Sequence, residues 1–61
     1  MPTQITQGGV TFTLGGSRES AMVEFLQQLE SNPGWQAQLD VMRTSGFTSV
    51  IVTDNPGDFP A

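Results

Sequence analysis

The chain of 61 residues contains no cysteine, no histidine, no tyrosine and no lysine. Without cysteine there is no disulfide, and without histidine as well a zinc site lacks both of its favoured ligand types. Small domains lean on such staples, so oligomerisation or docking on a partner is the route left open. No metal or cofactor is expected. General acid–base chemistry falls to six carboxylates alone. Ser17 follows Gly15-Gly16 as a nucleophile at a sharp turn would. It has no His or Lys to activate it and reads as a helix cap. A carboxylate pair acting on a sugar needs a deep cleft, and a chain this short has little volume to build one. The expectation is a protein that is not an enzyme.

Positive charge is almost as scarce. Arg18 and Arg43 face six acids, for a net charge of −4. Neutralising a phosphate backbone needs clustered Lys or Arg, so no direct nucleic-acid partner is expected, and the same balance disfavours an anionic membrane surface. No apolar run exceeds three residues, as in Val50-Ile51-Val52, far too short to span a bilayer. Met1-Pro2-Thr3-Gln4 lacks the basic start and apolar stretch of a secretory signal, which points to the cytosol, or to a virion if a phage encodes the chain. Charged residues make up only 13% of the sequence, about half the usual share. The solvated surface must then be built from Gln, Thr, Ser and Asn.

What is present is patterned. Val10, Phe12 and Leu14 alternate with Thr11 and Thr13, the period of a half-buried strand. Gly8-Gly9 before it is a hairpin turn from a first strand at 3–7, or a bulge in one longer strand. After Gly15-Gly16, Ser17 is placed to cap a helix over 19–31, with Glu19 favourably near the positive end of its dipole. At 100° per residue Ala21, Met22, Phe25, Leu26 and Leu29 share one arc, with Val23 beyond its edge.

Asn32-Pro33 is a helix start. Residues 35–43 alternate like a strand, yet their propensities and end signals favour a helix, with Trp35, Leu39 and Met42 on one stripe. In that helix Asp40 pairs with Arg43 and Gly46 closes the C-terminus. The run from Phe47 to Thr53 is the clearest strand. Its Val50-Ile51-Val52 is apolar on both faces, as in a central or well-covered strand. Asp54-Asn55-Pro56-Gly57 reads as a turn, and 54–61 as a tail. The expected fold is α+β: one domain over 1–61 with a two- or three-stranded sheet, a helical pair on one face and the order β(β)-αα-β.

Two further features resemble binding sites only faintly. Gly15-Gly16-Ser17 with Arg18 can offer amides to an anion at a helix start, but lacks the lysine and spacing of a phosphate loop. Asp54, Asn55 and Asp58 fail the spacing of a calcium loop. No motif carries a family resemblance. Among the aromatics, four of the five are expected in the core. Phe59 is left either folded back on the sheet or offered to a partner.

The surplus is apolar surface, more than one small core needs. Val23 and Leu26 on the first helix, Ala37 and Val41 on the second, and Phe59 in the tail are the interface candidates. The first reading is a non-catalytic structural or assembly protein that self-associates or binds a protein partner, such as a virion component. The alternative is a small acidic inhibitor or adaptor that blocks a host nucleic-acid-handling complex. A dense acidic row on one face would mark the inhibitor, and scattered acids the assembly protein.

Overall fold

A computed structural model describes residues 2–55 and Gly57. The chain runs β1 (Thr3–Gln7), β2 (Val10–Leu14), α1 (Glu19–Leu29), α2 (Pro33–Thr44), β3 (Ser49–Val52). This is the expected α+β order, with the helical reading of 35–43 holding over the strand reading. The sheet is mixed, in the order β1-β2-β3. β1 pairs antiparallel with β2, Ile5 opposite Phe12 and Gln7 opposite Val10. The helices then carry the chain back so that β3 lies parallel to β2, Phe12 beside Val50 and Leu14 beside Val52.

Gly8-Gly9 makes a hairpin turn rather than a bulge. Both glycines have positive φ, 57° and 79°, as a tight two-residue connection between right-twisted strands requires. The period-2 pattern of β2 puts Val10, Phe12 and Leu14 inward, where they form one core with Leu26 and Leu39. Ile5, Met22, Val23, Leu29, Trp35, Met42 and Val50 pack around it. On β1 and β2 the opposite sheet face is polar, with Gln4 donating to Thr13 and Thr6 bonded to Thr11.

The start of α2 follows the sequence closely. The Asn32 side chain accepts the Gly34 amide at 2.9 Å, Pro33 opens the helix, and Arg43 meets Asp40 at 3.2 Å. Gly46 after its end has φ 92°.

Four expectations are corrected. Arg18, not Ser17, is the N-cap of α1, and its side chain makes no capping bond; the Ser17 hydroxyl goes to Asp54 instead. The buried face of α1 is turned toward Val23. Met22, Val23, Leu26 and Leu29 meet the core, while Phe25 stays 54% exposed. Phe47 is 63% exposed as well, so the core does not hold four of the five aromatics. Finally, among the described residues β3 is an edge strand, neither central nor well covered, and only Val50 of its apolar run packs on the core. Phe59 and Asp58 lie outside the described residues, as does most of the expected tail.

One inward residue is polar. Gln7 is buried at the end of β1. Its amide donates to the Leu26 carbonyl at 3.1 Å, and its carbonyl accepts the Trp35 indole N–H at 2.9 Å. A single side chain thus ties β1 to both helices. The Trp35 ring lies 5.9 Å from that of Phe12, centroid to centroid. No buried side-chain polar atom among the described residues lacks a partner.

Candidate interaction surface

β3 and the segment leading into it carry exposed apolar residues in an uncharged stretch of the chain. Between Arg43 and Asp54 there is no charged residue, and within that span Phe47, Ile51 and Val52 are exposed. Side chains of a strand alternate between faces. Val50 and Val52 therefore share the helix-bearing face with their partners Phe12 and Leu14, while Ser49 and Ile51 stand on the open face beside Thr11 and Thr13. Ile51 is 58% exposed there.

Among the described residues the backbone of β3 is paired on one side only. The carbonyls of Thr48 and Val52 accept the amides of Thr11 and Gly15, at 2.9 and 3.0 Å. Alternate residues of a strand send their N–H and C=O to the same side, so those of Ser49, Ile51 and Thr53 face away from β2. No strand among the described residues lies beyond them. Sheet edges are commonly blunted by lysine, proline or a bulge. The segment Ser49–Val52 holds neither lysine nor proline, and its register with β2 runs without a break.

A second feature lies at the far end of β3. Gly15, Arg18, Met22, Val52, Thr53 and Asp54 line a cleft of about 230 Å³. The anion at this helix start is the chain's own. Ser17 donates its amide to Asp54 Oδ1 at 2.8 Å and its hydroxyl to Oδ2. These two bonds, hydroxyl first, hold the Asp54 carboxyl below its ordinary value of 3.8. Gly16, at φ 87°, allows the approach, because a Cβ there would run into the Asp54 carboxylate. The arrangement latches the end of β3 to the start of α1. It occupies the Ser17 amide, and the Gly15 amide is bonded to Val52, so neither of these two is offered to a ligand.

The sequence-derived interface candidates separate. Leu26 is 3% exposed and belongs to the core, so it presents no surface. Val23 is half-buried against the same core. Ala37 and Val41 on α2 are exposed. Phe59 lies outside the described residues. Phe25, Phe47 and Ile51 were not among those candidates, although Ile51 belongs to a run read as apolar on both faces. The absence of charge from Thr44 to Thr53 was the signal that marked the last two.

Comparison with known proteins gives no match: no family model fits the chain, and no curated protein and no solved structure resembles it.

Proposed function

We propose that the chain is a non-catalytic assembly subunit that acts through protein–protein contacts along the β3 side of its sheet. The observation that carries this reading is a strand that is apolar, uncharged and, among the described residues, unpaired on its outer side, with Ile51 58% exposed. Such an edge offers main-chain hydrogen bonds and apolar side chains to a partner strand at once. The acids favour assembly over inhibition. Glu19 accepts from Thr3 across to β1, Asp40 is paired with Arg43, and Asp54 is held by Ser17. Glu24 lies on α1 and Glu30 caps its end. Three of these five lie on α1 or its cap, five and six residues apart, and the other two on α2 and after β3, too sparse for the row that mimicry of a phosphate backbone needs. No helix among the described residues is long and apolar enough to cross a membrane.

The test is site-specific photocrosslinking in the cells that make the protein. A photoreactive phenylalanine analogue is placed at Phe47, at Ile51 or, as control, at the exposed Gln28 of α1. Protein adducts at 47 and 51 but not at 28 are expected. Adducts at none of the three, or equally at 28, overturn the reading.

A further inference from the structure

We infer that the occupant of the β3 edge is a second copy of this chain, joined antiparallel about a two-fold axis through Ile51 into one continuous six-stranded sheet. The inference rests on the assembly reading above and adds the identity of the partner.

The argument starts from the order of residues. Ser49-Val50-Ile51-Val52-Thr53 is chemically the same in both directions: a hydroxyl residue, valine, isoleucine, valine, a hydroxyl residue. A two-fold interface sets the same patch against itself, so each residue must suit its own mirror position. With the axis at Ile51, Val50 faces Val52 of the second copy, Ser49 faces Thr53, and Ile51 faces Ile51. A centred palindrome meets that condition at all five positions.

The backbone agrees with the same register. Ser49, Ile51 and Thr53 are the residues whose N–H and C=O face outward, because Thr48 and Val52 are committed to β2. In an antiparallel pair the residues that exchange two hydrogen bonds sit opposite one another at every second position. Centring on Ile51 lets all three outward residues bond at once. A shift of one residue would place Val50 or Val52 on the axis, and their groups already point inward.

Charge permits the contact. A chain of net charge −4 repels its copy in general, but no charged residue lies between Arg43 and Asp54. The Asp54 carboxylate at the end of the segment is turned back onto Ser17. The half-exposed Val52 beside Leu14 also gains cover, since the helices of the two copies lie on the same face of the joined sheet. An edge of this length makes a small interface, so association in the micromolar range is expected, on the order of 10 µM.

Sedimentation of the full chain over a concentration series is the test. The mass should rise from 6.5 kDa toward twice that value. Ile51→Lys sets two ammonium groups side by side on the axis, while the Ile51 side chain stands on the open sheet face, away from the core. That variant should keep the circular dichroism of the parent and weaken dimerisation at least tenfold. A parent that stays at 6.5 kDa at the highest concentration overturns the proposal. So does a dimer that Ile51→Lys leaves intact.

Should Ile51→Lys fail to fold, Ile51→Cys decides. The chain has no other cysteine, and directly opposed residues of this kind lie about 5.5 Å apart at Cα, within disulfide reach. Mild oxidation should yield a covalent dimer of Ile51→Cys but not of Gln28→Cys. Equal yields overturn the inference. A monomeric parent that still gives crosslinks to another protein at 47 and 51 removes the second copy and leaves the assembly reading standing.

Discussion

Asp54 shows what one side chain does at the margin of a very small domain. Its carboxylate accepts both donors of Ser17, so the end of β3 is held to the entry of α1 in a chain that has no cysteine for a disulfide. The two bonds stabilise the ionised form, and the carboxyl is shifted down in the folded chain. A group depressed on folding stabilises the fold above its unfolded value, and that contribution is lost as pH falls through the lower, folded one. Thermal unfolding of the parent and of Asp54→Asn, from about pH 7 to about pH 2, tests this. The parent should melt higher at neutral pH. The gap should narrow below about pH 4 and close in stronger acid. A gap that stays constant with pH would show that the charge of Asp54 is not what Ser17 reads. This contact was half legible. Gly15-Gly16-Ser17 reads as a place for an anion, but nothing in the one-dimensional order shows that the anion comes from a residue far along the chain.

At the scale of elements, ends were easier to read than faces. Asn32, Pro33, Arg43 and Gly46 each act within a turn or two of their own position, and α2 starts and stops where they say. The buried face of α1 was legible only in part. Ala21, Met22, Val23, Phe25, Leu26 and Leu29 cover more of the helix than one sheet can, so sequence alone cannot choose which edge is left out. The sheet chooses, by placing Val23 against the core and leaving Phe25 outside. The consequence is measurable by urea unfolding at one fixed protein concentration. Leu26→Ala should cost about 2–5 kcal/mol, as truncations in a core do. Phe25→Gln should stay within about 0.5 kcal/mol of the parent, as exposed positions do. A large loss at Phe25 would return that ring to the core. The apolar run of β3 was misread for a related reason. Hydrophobicity on both faces suits a covered strand, and an edge awaiting a partner carries the same pattern.

For the whole molecule, the class and order of elements followed from local periodicity, whereas the parallel pairing of β2 with β3 depends on how the helical pair folds back and left no local mark. Beside the shared apolar core, the Gln7 side chain joins these parts, bonded to Leu26 on α1 and to Trp35 on α2. Its polar character hid it from a search for core residues, although it follows Ile5 at the inward period of β1. In a chain of this size total stability is about 3–5 kcal/mol, and an orphaned buried polar group costs about 1–3 kcal/mol. Trp35→Phe keeps a ring near Phe12 but strands the Gln7 carbonyl. Gln7→Leu keeps the volume but strands the indole N–H. Each alone should lower stability by roughly 1–3 kcal/mol. Made together, neither group remains to be stranded, and the Leu26 carbonyl keeps its helical bond from Glu30. The double variant should therefore lose less than the two single losses combined, by on the order of 1 kcal/mol. Urea unfolding of the four proteins at one concentration reads this coupling, because association would otherwise shift each midpoint. Strict additivity would mean that apolar packing alone joins the helices to the sheet, and that the Gln7–Trp35 hydrogen bond contributes nothing to the unit.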